Sequence, residues 1–407
     1  ITILTLSMFQ CFYYLFYSSF FWINYHFLKI IAFDNQNNET IKLKSFITNE
    51  NQPPTNFTIE VTDINNVSAI INWTESTDPE SSVKVIYQLK LDGITLTKDH
   101  INTNFHIKNL KAATTYKLEI VARDKDDNEI SSFLEFTTKD GIFHGDLSLG
   151  TQNQINLFGE QGYVVINGNL TIQDVTSNRR DISDLTPLSS LKTIKGYFDI
   201  RLNRSLKYFT GLSIEKIEKS LRIENNDGLE NVDNLNSLKI IYGAFKINQN
   251  SGLLKLPAFT NLHTIHGELI IHGNSVTNID GFHNLNSVSN IFISYNSNLK
   301  KITGFNNLQI VENSIGFSNN TSLHEMNCFN KLKTVTNLRF GNSKIENLNT
   351  FLALTTIKGE LEINNIQISN LIGINQLEEV FNISIFNNNN LKSLDGIENV
   401  KKINGTL

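Results

Sequence analysis

The chain has 407 residues, of which 40% are hydrophobic and 18% are charged, and its formal net charge at pH 7 is -5. This length allows two or three domains, and the charge balance lacks the basic surface that nucleic-acid binding needs, so we expect no nucleic-acid partner. The only two cysteines, Cys11 and Cys328, cannot build a disulfide framework, which separates the chain from disulfide-dense extracellular domains.

Residues 1–33 form an apolar segment in which Lys29 is the single charged residue. Phe12 to Phe27 is dense in aromatic side chains, and with its flanks it approaches the roughly 20 residues that a membrane-spanning helix needs. The segment has neither a basic start nor a small-residue cleavage site. We therefore interpret it as an export signal or membrane anchor, or alternatively as the product of a mis-called gene start. Residues 34–52, which are polar and rich in asparagine, are predicted to be a linker.

Residues 53–138 follow the period-two pattern of a β-sandwich. Alternating apolar residues in 69–73 and 116–122 place one face of each predicted strand in a core. Pro53 and Pro54 stand at the entrance, Trp73 lies in the second strand, and Tyr116 opens a strand six residues after Leu110. In these features the segment resembles a fibronectin type III domain, which implies a sandwich that folds by itself.

Residues 168–407 repeat one pattern at intervals of 22 to 24 residues, after a first interval of 28. In the unit 219–241, Leu221 and Ile223 alternate as in a short strand, and apolar residues then recur at every third position. One unit cannot bury such a row alone, so the units must stack. The predicted fold is all-β: the sandwich followed by a right-handed β-solenoid of leucine-rich-like coils, with residues 139–167 as its N-terminal cap. Because Leu407 falls inside a repeat, we expect the native protein to continue.

Nearly every coil carries an asparagine at about the same place. An asparagine side chain both donates and accepts, so a stacked row can pair backbone groups that a tight turn leaves open. We predict a structural ladder of Asn203, Asn226, Asn250, Asn274, Asn296, Asn320, Asn342, Asn365 and Asn388.

Units such as 243–265 resemble the receptor L-domain repeats of the insulin and epidermal growth factor receptors, and still more the related repeats of bacterial surface proteins. The resemblance covers residues 168–407 and implies leucine-rich-like coils. It names no ligand, because coils of this type serve many different ones.

The outward face of the coil strands is the candidate binding surface. If Leu221 and Ile223 point inward, the residues that alternate with them point outward. Across the coils this offset selects aromatic and basic residues of the kind that anchor interfaces. Ordinary solvent exposure is the alternative explanation, because single apolar residues on a surface need no special role. The candidate ligand-binding residues are Tyr197, Arg201, Arg222, Lys246, Ile270, Phe292 and Arg339. Their cations favour an anionic ligand, either a short oligosaccharide or an extended peptide.

Candidate chemical sites have plainer explanations. Asp124-x-Asp126-x-Asn128 resembles the start of a calcium loop, but the glycine and glutamate that should follow are missing, and a turn is favoured. Histidines at 263, 266, 272 and 283 differ in their offsets within the coil, which argues against a shared metal ion. Outward acids at 199, 224, 268, 360 and 362 form no matched acid–base pair. We therefore predict no catalytic residue, metal or cofactor.

These observations favour a non-enzymatic cell-surface or secreted protein, attached to a membrane if residues 1–33 are an anchor. Its solenoid would recognise an extracellular glycan or protein ligand, with the sandwich as a spacer. Two alternatives stay open. One is a purely structural surface stalk, and the other is a β-helix carbohydrate-active enzyme.

Overall fold

The computed structural model of the protein describes residues 4–11, 24–33, 38–48 and 51–405. The chain divides into two compact units. The first holds the described residues up to 138 apart from 65–67 and 111–113, and the second holds those two short segments together with residues 139–405.

The first unit begins with a three-stranded antiparallel sheet of β1 (Leu4–Cys11), β2 (Asn24–Phe33) and β3 (Glu39–Thr48), in that order. Strand β3 lies where the sequence analysis expected a linker. Its alternation of apolar and polar residues between 40 and 44 suits a strand, and its partner is β2, with Ile31 opposite Ile41. Residues 12–23 of the expected leader lie outside the described residues. Among the residues described, no helix is long and apolar enough to cross a membrane.

The rest of the first unit is a sandwich of two antiparallel sheets. Its strands are β4 (Ile59–Thr62), β5 (Ala69–Trp73), β6 (Ile86–Leu91), β7 (Ile94–His100), β8 (Asn104–Ile107), β9 (Thr115–Arg123) and β10 (Glu129–Thr137). One sheet has the order β4-β5-β8 and the other β10-β9-β6-β7. In the core between them Trp73 meets Tyr87 edge to face, with ring centroids 5.3 Å apart. The Tyr87 hydroxyl accepts the Ser76 N–H at 2.8 Å, so this buried ring keeps a polar partner.

The second unit is a β-solenoid of about 11 turns with coils of ~23 residues. It contains one α-helix, α1 (Gln152–Glu160), and three short 3₁₀ turns, Thr186–Leu188, Asp233–Ser237 and Asn349–Phe351. Its strands are β11 (Ile142–His144), β12 (Leu147–Leu149), β13 (Val165–Asn167), β14 (Leu170–Ile172), β15 (Thr193–Ile194), β16 (Phe198–Arg201), β17 (Lys216–Ile217), β18 (Leu221–Glu224), β19 (Ile240–Ile241), β20 (Phe245–Asn248), β21 (Thr264–His272), β22 (Asn278–Ile279), β23 (Ser287–Ser294), β24 (Lys301–Ile302), β25 (Ile310–Val311), β26 (Ser314–Ser318), β27 (Glu325–Met326), β28 (Thr334–Val335), β29 (Asn337–Gly341), β30 (Thr356–Asn364), β31 (Glu379–Phe386) and β32 (Lys402–Ile403).

Every pairing in the solenoid is parallel and joins equivalent residues of successive coils. We call the face built from β12, β14, β16, β18, β20, β26, β29 and the second halves of β21, β23, β30 and β31 the coil sheet. Leu221 pairs with Phe245 and Ile223 with Ile247, so the apolar residues of each coil stack directly on those of the next. Gly267 lies within β21, between Ile265 and Glu268, where the pairing with β23 shifts register. A Cβ on Gly267 would lie 2.6 Å from the carbonyl carbon of Gly243, a clash that leaves room for glycine alone.

The inward residues form one continuous core along the solenoid. A column of phenylalanines runs through it, formed by Phe259, Phe282, Phe305, Phe329 and Phe351, all fully buried. Successive rings lie 4.5 to 5.5 Å apart between centroids. Phe282 and Phe305 are almost parallel, at 4°. The first four have φ between 46° and 64°, which is unusual for a bulky residue. Because their rings stack on one another, the packing stabilises the turn at which each of them lies.

Residues 139–167 supply the first strands of the solenoid as well as its helix. Strand β11 pairs with β13, and β12 pairs with β14, so the coil arrangement starts earlier than the predicted boundary at 168. Thr151 caps α1 by accepting the N–H of Gln154. The helix contributes Ile155, which is fully buried, to the common core, and in this way the segment covers apolar groups at the first coils.

Candidate functional site

A ladder of buried asparagines runs beside the coil sheet. The structure links Asn203, Asn226, Asn250, Asn274, Asn296 and Asn320, which are at most 4% exposed. Asn250 is representative. Its Oδ1 accepts the backbone N–H of Asn226 at 3.0 Å and the side-chain amide of Asn226 at 3.2 Å, and its Nδ2 donates to the carbonyl of Ile223 at 3.0 Å and to Asn274 Oδ1 at 3.1 Å. The ladder therefore satisfies backbone groups at the turn that follows each strand.

Two residues predicted for the ladder lie outside it. Asn342 and Asn365 have φ of 50° and 51° and occupy the left-handed turn position just before the ladder position. Ser343 and Ile366 take the ladder positions of those coils. Asn342 donates to Asn319 Oδ1 at 2.7 Å, and Asn365 donates to Asn342 Oδ1 at 2.8 Å, so the two asparagines extend a separate row along the turn. Repeat spacing could not separate adjacent positions.

The far ends of the ladder differ. Asn388 accepts the N–H of Ile366 at 2.9 Å and donates to the carbonyl of Ile363 at 2.9 Å, as a ladder residue does. At the first coil the position belongs to Asp174, which the sequence analysis missed because the preceding loop is one residue shorter. The backbone N–H of Asp174 donates to Asn203 Oδ1 at 2.9 Å, which joins this residue to the ladder.

The Asp174 carboxylate accepts four hydrogen bonds from the loop beyond it. The donors are the backbone N–H and hydroxyl of Thr176 and the backbone N–H groups of Asp181 and Ile182, at 2.5 to 3.0 Å. Burial opposes ionisation, but these donors outweigh it and hold the pKa of Asp174 below its ordinary value. An acceptor-only side chain suits this end, because the loop presents only donors to it.

A second row of side chains links the starts of the coil-sheet strands. Asp146 Oδ1 accepts the N–H of Asn169 at 2.8 Å, and Asn169 Oδ1 accepts the N–H of Tyr197 at 2.8 Å. The same bond joins Ser220 to Ala244, Asn290 to Ser314 and Asn337 to Glu360. These side chains, which the sequence analysis left without a role, fix the edge of the outward surface.

The coil sheet brings most of the predicted binding residues into one outward row. Its register pairs Arg222 with Lys246, Lys246 with Ile270, and Ile270 with Phe292. Gly316 follows, and then Arg339. Tyr197 and Arg201 lie outside this row: Arg201 pairs with Glu224 in the neighbouring row, and Tyr197 stands at the start of its strand.

The cations of this row are engaged by acids of the same face. Arg222 Nε lies 3.7 Å from Asp199 and 3.8 Å from Glu224, and the Lys246 ammonium lies 4.0 Å from Glu268. The Arg339 guanidinium contacts Glu360 at 2.9 Å and Glu362 at 3.4 Å. Acids of the same face therefore balance the positive charge of the row.

A shallow concavity lies over the first coils of the coil sheet. It is lined by Asp146, Leu147, Ser148, Asn169, Thr171, Tyr197, Asp199 and Arg222. Its floor is a stripe of polar side chains, one per strand, because Ser148 pairs with Thr171, Thr171 with Asp199, and Asp199 with Arg222. Tyr197, 46% exposed, stands beside the stripe. The concavity contains two of the predicted residues, Tyr197 and Arg222, and lies at one end of the predicted row.

Charges around the concavity compensate one another. The Lys219 ammonium lies 5.0 Å from the centroid of the Tyr197 ring, within cation–π range. Hydrogen bonds from the backbone and side chain of Asn169 outweigh partial desolvation and, with the charge of Lys219, hold the pKa of Asp146 below its ordinary value. The site therefore presents an ionised carboxylate, a guanidinium and an aromatic ring within one polar surface.

The other candidate sites have structural partners. The Asp124 carboxylate accepts the N–H groups of Asp126 and Asn128 at 2.8 and 2.9 Å, so residues 124–128 form a turn between β9 and β10. His266 stacks on Tyr242, and His272 bonds to Ser294 at 2.9 Å. Across residues 4–11, 24–33, 38–48 and 51–405, no group of three metal-ligating side chains comes together.

Comparison with known proteins identifies the sandwich. Residues 52–137 match the family model described as the fibronectin type III domain, in agreement with the segment that the sequence predicts. No curated protein matches the chain.

Two solved structures show limited likeness to the chain. One is pectate lyase Pel3 from Pectobacterium carotovorum, with 8% identity, a TM-score of 0.18, and coverage of 77% of this chain and 86% of that one. The other is pectate lyase PelI from Erwinia chrysanthemi in complex with tetragalacturonic acid, with 8% identity, a TM-score of 0.17, and coverage of 77% and 85%. At such TM-scores neither likeness bears on this chain's activity.

Proposed function

We propose that the protein is a non-enzymatic cell-surface or secreted binding protein whose solenoid recognises an extracellular glycan or protein ligand through the coil sheet. The observation that carries the proposal is the register of that sheet. Successive coils place outward residues side by side, so that four coils present Arg222, Lys246, Ile270 and Phe292 as one row about 14 Å long, from a strand spacing of about 4.8 Å. A row of this length suits an extended ligand.

The fold gives this surface the rigidity that binding needs. The asparagine ladder holds the ends of the strands that carry Arg222 and Lys246, and the bond from the Ala244 N–H to Ser220 joins their starts. Two ion pairs, Arg222 with Asp199 and Lys246 with Glu268, join side chains of neighbouring coils. A preorganised surface loses little entropy on binding. The fibronectin type III domain would serve as a spacer, and the resemblance of the coils to receptor L-domain repeats supports a recognition role.

The two alternatives make different predictions. A purely structural stalk would bind no ligand, and a carbohydrate-active enzyme would turn over a polysaccharide. The acids that a lyase or hydrolase mechanism would use on this face, such as Asp199 and Glu360, are held by guanidinium groups of adjacent strands. That arrangement ties strands together, whereas a general acid or base must face a substrate proton.

The test uses the full chain on a glycan and protein array, followed by affinity measurements on single variants. Arg222→Ala and Phe292→Ala should each weaken binding of an array hit. The matched control is Lys301→Ala, on the separate sheet of β22, β24 and β27, where Lys301 pairs with Glu325 at 2.6 Å. Weakened binding by the control with unchanged binding by both row variants would place recognition elsewhere. An array without hits would favour the stalk, and release of products from arrayed polysaccharides would favour the enzyme.

A further inference from the structure

We propose that the concavity over the first coils is a subsite for an uncharged saccharide. This inference rests on the proposed binding function and specifies its ligand. The site is lined by Asp146, Leu147, Ser148, Asn169, Thr171, Tyr197, Asp199 and Arg222, and it lies at the end of the coil sheet that begins with β12.

An aromatic ring stands beside the polar stripe of the concavity. Thr171, Asp199 and Arg222 pair in register, and Tyr197 precedes Asp199 by two residues, so ring and stripe belong to the same outward face. A pyranose ring has the complementary pattern, with C–H groups on its face and hydroxyl groups around its edge. Its face can pack on Tyr197 while its hydroxyls bond to the stripe.

The polar stripe offers both hydrogen-bond donors and acceptors, as a ligand with hydroxyl groups requires. Ser148 and Thr171 both donate and accept, the Asp199 carboxylate accepts, and the Arg222 guanidinium donates. One such group stands on each strand, about 4.8 Å from the next. A hydroxyl is the ligand group that satisfies all four, because it donates and accepts at once.

The charges around the concavity favour an uncharged ligand. The Arg222 guanidinium is shared between Asp199 and Glu224, at 3.7 and 3.8 Å, and Asp146 adds a further carboxylate to the rim. An anionic ligand would have to displace these acids from their cation and face Asp146 as well. A cationic ligand would meet Arg222 and the Lys219 ammonium above the Tyr197 ring. An uncharged ring avoids both costs.

The experiment compares six hexasaccharides in titrations with the full chain. Four are uncharged, built from glucose, mannose, galactose or N-acetylglucosamine, and two carry charge on every ring, built from galacturonic acid or glucosamine. We expect the tightest binding from an uncharged one, with little dependence on salt, because charge does not contribute. Tyr197→Ala should weaken that binding at least tenfold, and Tyr197→Phe should retain it, because the ring face is kept. Both variants change an exposed side chain, and Lys301→Ala serves as the control.

The outcomes separate this inference from the function on which it rests. Tighter binding of the galacturonic acid hexamer, or of the glucosamine hexamer, overturns the uncharged subsite but leaves a binding protein. A second result has the same meaning: the uncharged hexamers do not bind, but an array ligand such as a peptide does. In that case Phe292→Ala abolishes binding of the array ligand and Tyr197→Ala leaves it unchanged. If the array yields no ligand and no hexamer binds, the proposed function fails together with the inference.

Discussion

Replacing Asn250 by alanine should destabilise the coils around it far more than its small volume suggests. The substitution removes the acceptor for the backbone N–H and side-chain amide of Asn226 and the donor to the carbonyl of Ile223. All three groups are buried, and each buried group left without a partner costs about 1–3 kcal/mol. Three such groups would give roughly 3–9 kcal/mol, and we expect the lower part of that range because the Asn226 amide keeps its bond to the carbonyl of Ile200 and water can enter the turn.

The assay must read the solenoid itself. The tryptophans of the chain, Trp22 and Trp73, both lie outside it, so tryptophan fluorescence reports on other regions. Hydrogen exchange read by mass spectrometry in peptides from 198–272 measures local opening of the coils. Fluorescence of Trp73 then serves as an internal control that the sandwich is unchanged.

Asn342→Gly is the matched control for that experiment. It also removes an asparagine amide, but from the turn position, where φ of 50° suits glycine. We expect a smaller loss, roughly 1–3 kcal/mol, because its two side-chain hydrogen bonds, to Asn319 and from Asn365, are each worth about 0.5–1.5 kcal/mol net and neither partner is buried. Equal increases in exchange around the two sites, read in peptides from 198–272 for Asn250→Ala and from 315–364 for Asn342→Gly, would refute the reasoning, since they would show that the buried ladder adds nothing beyond the half-buried turn row.

Three further predictions concern other parts of the chain. Leu235 is fully buried, so Leu235→Asp places a carboxylate in the core and should open its own and both adjacent coils to hydrogen exchange. The outward change Lys246→Asp should not open them. If the protein tolerates both changes equally, the register is contradicted. Residues 53–138 expressed alone should unfold cooperatively when followed by circular dichroism, and the absence of a cooperative transition would contradict the domain boundary. In that segment Trp73→Ala should lower the free energy of unfolding by about 3–5 kcal/mol. Because the pKa of Asp174 is lowered in the fold, its stabilisation is complete above the ordinary pKa of about 3.9 and is lost as the pH falls through the folded value. The stability advantage of the native chain over Asp174→Asn in urea titrations should therefore shrink below about pH 4, and an advantage that grows on acidification would contradict this assignment.

The sequence was informative wherever one residue type repeated at a fixed offset. Leu221 and its equivalents predicted the strands, and the solenoid follows because alternation has only one physical meaning in a short strand. Asn342 shows the limit: two adjacent turn positions both favour asparagine, one for its left-handed backbone and one for its amide. The Phe305 column was missed although each of its members precedes a leucine by three residues, since any apolar residue fits that pattern. The pairing of Arg222 with Asp199 depends on a neighbouring coil, which no single repeat reveals.

The ladder has a direction, and that direction governs how the solenoid can be lengthened. Along the row from Asn203 to Asn320, an asparagine oxygen accepts from the amide of the preceding coil, and an amide hydrogen is donated to the asparagine of the next, as Asn226 does between Asn203 and Asn250. The other amide hydrogen of Asn226 bonds to the carbonyl of Ile200 in the preceding coil. Interior coils are therefore interchangeable modules with matching ends, whereas Asp174, which has no hydrogens to offer, is a terminus. A tandem copy of residues 226–249 inserted in place should splice into the row at both junctions, and so the architecture favours growth by internal duplication over addition ahead of the first coil.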